Sequence, residues 1–220
     1  MNILAVDTAL DACSVGIAQG DPARLVKRSE IVSRGHAERV FGMIDEALAE
    51  AGIAIGDIDR FAATVGPGSF TGIRVGIAAV RGFALVTAKP AIGVTTLAAH
   101  AETARAEAGS RPILAALPAK GGEVFAQLFD AEGGALSDPD VGPPERFAAL
   151  ALEAGAALAG AGADVVATAV PGLPVIHRQS APDIAAVLRL AAEAEPAEAP
   201  RPLYIKPPDA IPARAAIARR

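Results

Sequence analysis

The sequence predicts an α/β protein made of two units that share one architecture. Three observations carry this. Its 220 residues allow one large domain or two small ones. Along the first half, short apolar runs alternate with helical stripes in the order hairpin strands, helix, strand, helix, strand, helix. From about Arg111 a looser echo of the same order follows.

The elements can be taken in turn. Ile3 to Val6 and Cys13 to Gln19 are apolar runs flanking the turn Asp7-Thr8-Ala9-Leu10-Asp11-Ala12, which reads as an antiparallel hairpin. Leu25 to Ile31 adds a third strand. His36 to Ala51 switches to helical spacing, with Val40, Ile44, Ala47, Leu48 and Ala51 on one stripe and Gly52 as the stop. Phe61 to Val65 is a strand, Gly66-Pro67-Gly68 a loop, and Ser69 the N-cap of a helix running to about Thr87. Lys89-Pro90 ends that helix, Ala91 to Val94 is a strand, and Thr96 to Ala108 is helical. In the second unit, Ile113 to Leu117 and Val124 to Phe129 are strands around Gly121-Gly122. Arg146 to Ala154 is a helix, Asp164 to Val170 and Val175 to His177 are strands, and Ala181 to Glu195 is a helix. Prolines crowd thereafter (196, 200, 202, 207, 208 and 212), which predicts an extended tail with mobile last residues. The expected lobes are 1–108 and a degenerate 109–195, with a tail over 196–220.

Composition bounds the function. A hydrophobic fraction of 52% supplies a core, and aromatics at 4% leave most of the packing to Ala, Val, Ile and Leu. A net charge of -5 does not attract nucleic acid without a local basic patch or a partner. Cys13 is the only cysteine, so no disulfide framework exists and a cytoplasmic setting is the default. The opening Met1-Asn2-Ile3-Leu4 has no signal-peptide character. The apolar helix after Gly72 carries Arg74 and Arg81 and is short for a bilayer span, which takes roughly 20 residues. It is read as a buried helix with no membrane role.

Several groups invite a chemical reading. Asp7 and Thr8, at a strand end before a turn, could orient a metal-bound nucleotide phosphate. The turn has no glycine to bring N–H groups onto an anion, so a turn that satisfies its own backbone is favoured. The helix N-terminus opened by Gly66-Pro67-Gly68-Ser69-Phe70-Thr71-Gly72 would welcome an anion, but Ser69 can cap it and no P-loop lysine follows. Asp7, Thr8 and Ser69 are thus the candidate nucleotide contacts, with capping and turn formation as the stronger reading. Gly72 and Gly76, one turn apart, leave a groove for another backbone, and a helix apolar on nearly all faces is buried on all sides, either within this chain alone or in part by a second chain. His36 has Val40, not a second ligand, four residues on. His100 and His177 have no ligand-spaced partners, and no metal site is expected. Cys13 reads as a small core residue. Lys120 and Glu123 read as a solvated turn.

Beyond these patterns, Asn2-Ile3-Leu4-Ala5-Val6-Asp7-Thr8-Ala9 with Ala12-Cys13-Ser14-Val15 resembles the opening of the bacterial TsaB (YeaZ) family. Gly66-Pro67-Gly68-Ser69-Phe70-Thr71-Gly72-Ile73-Arg74-Val75-Gly76-Ile77 resembles its most specific signature, continued by Ile92-Gly93-Val94-Thr95-Thr96-Leu97. Pro202-Leu203-Tyr204-Ile205-Lys206 is similar to the family terminus. The likeness is dense to about residue 100 and sparse beyond. Pro118-Ala119-Lys120-Gly121-Gly122-Glu123-Val124-Phe125 departs from the family's Asp-Ala-Arg stretch.

The resemblance implies an actin-like, Hsp70-like (ASKHA) fold of two RNase H-like lobes. It implies a non-catalytic subunit that serves formation of threonylcarbamoyladenosine on tRNA by binding and activating TsaD as a heterodimer. TsaE joins the complex, and ATP and a metal ion belong to the partner subunits, with no intrinsic cofactor here. The tRNA is contacted mainly through the partner, and a homodimer forms when the partner is missing. The helices His36 to Ala51 and Phe70 to Ala88 are the expected docking surface, with His36, Val40, Ile44, Ala47, Ile73, Gly76, Ile77 and Val80 as its residues. An independent actin-like ATPase is the alternative. A glycoprotease-type peptidase, an older label of the wider family, ranks lower because no nucleophile and base can be assigned.

Overall fold

Strand β1 (Asn2–Asp7) shows how the first half is built. Its side chains alternate between two covers, as a strand's period of two requires. Leu4 and Val6 face one apolar cluster and Ile3 and Ala5 another. The computed structural model describes residues 1–20, 24–32, 35–195 and 198–205. Pro196, Lys206, Pro207, Pro208 and Pro212, on which the expected tail rests, lie outside these residues.

β2 (Ala12–Gln19) and β3 (Arg24–Ile31) continue antiparallel from β1. Helix α1 (His36–Ala51) follows and stops at Gly52, whose φ of 72° is the left-handed turn that glycine accepts without strain. β4 (Arg60–Thr64), α2 (Phe70–Thr87), β5 (Ala91–Val94) and α3 (Thr96–Ala108) complete the half. The sheet order is β3-β2-β1-β4-β5, with β4 and β5 parallel to β1.

The second half repeats this plan element for element. It comprises β6 (Ile113–Pro118), β7 (Val124–Phe129), β8 (Asp140–Gly142), α4 (Pro144–Ala154), β9 (Ala157–Ala159), α5 (Ala163–Ala169), β10 (Val175–His177) and α6 (Ile184–Glu193). Its sheet order is β10-β9-β6-β7-β8, the first sheet's order read from the other end. β7 is antiparallel and β9 parallel to β6, as β2 and β4 are to β1. Both are RNase H-like lobes, the second shortened: β8, β9 and β10 have three residues each.

Two expectations change. Asp164 to Val170 is not a strand; residues Ala163–Ala169 form α5. The run Asp-Val-Val-Ala-Thr-Ala-Val suggests a strand because β-branched residues fit a pleated surface. Ala163 and Val166, three apart, both face the second core, and that packing selects the helix. The strands β8 and β9 were not expected; three residues are too few to show a period.

The last helix of each half covers the other half's sheet. α1 and α2 pack on Leu4, Val6, Val15, Ile17 and Phe61, while α6 brings Ile184, Val187, Leu188 and Ala191 onto the opposite face, against Ile3, Ala5 and Ala62. Reciprocally, α4 and α5 pack on Leu114, Ala116 and Leu158, and α3 brings Leu97, Ala101, Ala104 and Ala108 onto Ile113, Ala115 and Leu117. A cut after residue 108 thus separates the sheets but not their covers. Glu102 of α3, nearly fully buried, ties the exchange together by accepting from Arg189 of α6 at 2.6 Å while pairing with Arg105. On the far side, Arg39 of α1 bridges Glu30 of β3 and Glu46, so α1 is fixed to the edge strand.

Candidate functional site: a glycine-tracked turn and two helix faces

The Gly66–Gly72 turn is built against the turn after β1. Ser69 caps α2, its Oγ accepting from the Gly72 N–H at 3.3 Å. The Ser69 N–H donates to the Ala9 carbonyl at 2.7 Å, and the Thr8 hydroxyl donates to the Gly72 carbonyl at 2.7 Å. Gly68, Gly72 and Gly76 form a track on which Thr8 and Ala9 lie. A Cβ on Gly68 would strike the Ala9 carbonyl oxygen, one on Gly72 the Thr8 carbonyl oxygen, and one on Gly76 would lie 2.6 Å from the Thr8 hydroxyl. The groove left by Gly72 and Gly76 is therefore filled by this chain's own backbone.

The structure brings Asp7, Thr8 and Ser69 together, as a nucleotide site would require, but engages them internally. Asp7 is fully buried, and its Oδ1 accepts from the Thr64 hydroxyl at 2.6 Å and the Ala9 N–H at 3.0 Å. Its Oδ2 has no hydrogen-bond partner among the described residues. Burial pushes the Asp7 carboxyl up, against the hydrogen bonds from Thr64 and Ala9 and the nearby charge of His36. Leu10, next in the turn, packs against both the first core and the core between the lobes. His36, half-buried at the start of α1, holds that turn through Nε2, 3.1 Å from the Leu10 carbonyl.

Asp7→Asn keeps the Oδ1 acceptor and removes the charge. A carboxyl raised by folding favours the folded state below its ordinary value of 3.8, and that contribution is lost as pH rises through the folded value. Asp7→Asn is therefore expected to melt higher than wild type at pH 8, the gap narrowing toward pH 4. A lower melting point at pH 8 by calorimetry would contradict this.

Cys13 is fully buried, and burial, with the charges of Asp7 and Glu30, pushes its thiol up to about 11. That is a core residue, not a nucleophile. Lys120 and Glu123 flank a tight turn after β6, closed by the Ala119 N–H donating to the Glu123 carbonyl at 2.8 Å.

The expected interface residues need correction. Val40, Ile44 and Ala47 of α1 and Ile73, Gly76, Ile77 and Val80 of α2 are buried against the first sheet or the Thr8 turn. They position the helices and are not available to a partner. The outward faces carry other residues. On α1 these are Glu38, Phe41, Asp45 and Glu50; on α2 they are Phe70, Arg74, Ala78, Arg81, Leu85 and Val86. Leu85 is 82% and Val86 85% exposed, and Phe41, at 51%, meets Phe83 edge-on with ring centroids 6.2 Å apart. α2 is long and apolar enough by composition to cross a membrane, yet its inner stripe is a core face and its outer stripe holds two arginines. A signal for the outer face was present: Arg74, Ala78, Arg81 and Leu85 recur at helical spacing.

Near the start of α2, the Arg74 guanidinium lies 3.6 Å from the centre of the Phe70 ring and donates to the Tyr204 hydroxyl at 3.0 Å. The Leu203 N–H donates to the Val65 carbonyl at 2.8 Å, so the end of the described chain returns to the turn.

Two duplicated RNase H-like lobes, with one lobe's last helix covering the other's sheet, define an actin-like protein. Comparison with known proteins narrows the class. The TsaD family model, described as tRNA N6-adenosine threonylcarbamoyltransferase, matches residues 29–180. The chain is 40% identical over 125 residues to the tRNA threonylcarbamoyladenosine biosynthesis protein TsaB of Escherichia coli, covering 57% of this chain and 53% of that protein. It is 37% identical over 183 residues to a tRNA N6-adenosine threonylcarbamoyltransferase of Jannaschia sp., covering 81% of this chain and 45% of that protein. The solved structure of YeaZ from Pseudomonas aeruginosa superposes with a TM-score of 0.80 at 32% identity, covering 92% of this chain and 99% of that one. The chain belongs to the TsaB/YeaZ family and carries a TsaD-like domain. It spans about half the length of the curated relatives it matches.

Proposed function

We propose that this chain is a non-catalytic partner subunit in tRNA threonylcarbamoyladenosine biosynthesis, which docks on a TsaD-type threonylcarbamoyltransferase and stabilises its competent state. The observation that carries this reading is the outward face of α1 and α2. Leu85, Val86 and Phe41 are large apolar side chains left in solvent on adjacent helices, and such patches mark protein contacts. The charge on this face is divided. α1 presents Glu38 and Asp45, whereas α2 presents Arg74 and Arg81 and no acid, with Lys89 just beyond its end. A partner of the same fold, turned by a two-fold axis, would lay its acidic helix on the cationic one and the reverse. The similarity to both TsaB proteins and the transferases supports such a like-folded partner. The same self-complementarity favours a homodimer when the partner is missing.

On this reading the chain works in the cytoplasm, TsaE joins through the assembled pair, and ATP and a metal ion act in the partner subunits. The net charge of -5 suits a subunit that leaves tRNA to its partner. The test is co-expression with the TsaD-type transferase of the same genome, followed by gel filtration and a threonylcarbamoylation assay on a tRNA transcript. A one-to-one complex and a faster reaction are expected. Separate elution with an unchanged rate would overturn the proposal.

A further inference from the structure

His100 of α3 and His177 of β10 meet at the junction of the two halves. Their ring centroids are 5.6 Å apart and the planes are inclined by 54°. Both residues are buried. Among the described residues, neither nitrogen of His100, nor Nε2 of His177, nor the hydroxyl of Thr96 one turn earlier on α3, has a hydrogen-bond partner. The core at this junction is apolar, with Leu97 and Ala101 flanking His100 on α3, Ile176 next to His177, and Ala159 opposite His177 across β9 and β10. Buried polar groups are nearly always paired, so this cluster is exceptional.

Charged neighbours give the pair little support. On α3, Glu102 is engaged by Arg105 and Arg189, and Glu107 acts on His177 only through its field. From α6 and its N-cap come Arg189 and Asp183, the latter paired with Lys27. Arg178, next to β10, is paired with Asp164. β6, β7 and β9 bring no ionisable side chain.

We propose that His100 and His177 form a proton-sensitive latch between the two halves: as neutral rings they let α3 lie on the second sheet, and protonating either one lifts α3 away. A proton on either ring places an unpaired charge in an apolar junction. Burial, reinforced by the neighbouring His177, lowers His100 from 6.5 to about 3. Burial also lowers His177, against the pull of Glu107. The open or unfolded chain therefore binds protons below pH 6.5 that the closed form refuses. Stability present above that pH is lost as pH falls toward 3. The latch does not depend on the docking reading.

The experiment is thermal melting of the full chain at pH 7.5 and 5.5, wild type against the double variant His100→Leu, His177→Leu. Wild type should lose about 5 °C more than the variant over this interval. Hydrogen exchange of the α3 amides should quicken at pH 5.5 in wild type alone. Equal losses in the two proteins would overturn the latch. Should the variant not fold, NMR titration of the wild-type imidazoles decides. His100 and His177 both titrating below 6.5 supports the latch, and both titrating near 6.5 or above overturns it.

Discussion

Gly72→Ala is expected to unfold the first lobe or to cost it more than about 4 kcal/mol. The new Cβ would run into the Thr8 carbonyl oxygen, which is backbone and cannot rotate aside. Thr8 cannot retreat, because it follows β1, the central strand, and its hydroxyl is bonded to the Gly72 carbonyl. α2 cannot retreat either without emptying Ile73, Ile77 and Val80 from the core. Gly82, on the exposed side of the same helix, is the control. A Cβ there meets nothing within 4 Å among the described residues, so Gly82→Ala should gain about 0.5–1 kcal/mol from helix propensity alone. Urea denaturation of both variants checks the pair. If Gly72→Ala melts with wild type, the close approach of the two turns is not a constraint.

The second large effect concerns the outer face of α2. Leu85→Asp and Val86→Asp should leave the melting temperature nearly unchanged, because both side chains are already in water. Each should weaken binding to the TsaD-type transferase by about 100-fold, the loss typical of an anchor residue at an interface centre. Ile77→Asp and Val80→Asp should behave in the opposite way. They place a charge in the first core and cost several kcal/mol of stability, about what burial of an unpaired charged group demands. Any loss of binding they cause would follow from unfolding. Calorimetric melting paired with titration calorimetry separates the two classes. If Leu85→Asp and Val86→Asp bind as wild type does, the docking surface lies elsewhere.

Particular residues show how far the fold was legible in one sequence. α1 was readable to its ends, because Val40, Ile44, Ala47 and Ala51 keep helical spacing and Gly52 closes it. The start of α2 was readable from Ser69, since a hydroxyl before an apolar run caps a helix whatever it packs against. The duplication was visible only as an echo, for β8 and β9 are too short to show a period and α5 reads locally as a strand, whereas β10 was legible at Val175 to His177.

The candidate site divides in the same way. Asp7, Thr8, Ser69 and the glycines could be named from sequence, as could the helices that carry the outer face. Which face of α2 meets water is marked in the sequence only by Arg74 and Arg81, two turns apart, since apolar residues lie on all sides. It was decided by the Thr8–Ala9 turn, which needs a side without Cβ atoms and so turns Gly72 and Gly76 inward. The meeting of His100 with His177 was likewise invisible, because 77 positions part them in the chain and only the crossing of α3 onto the second sheet joins them. The sequence by itself determined the local elements, their caps and the family likeness, because backbone preference and short-range spacing act within a few residues. Only the tertiary structure decided which side chains are buried and which remain exposed, because burial depends on what distant segments bring to the same place.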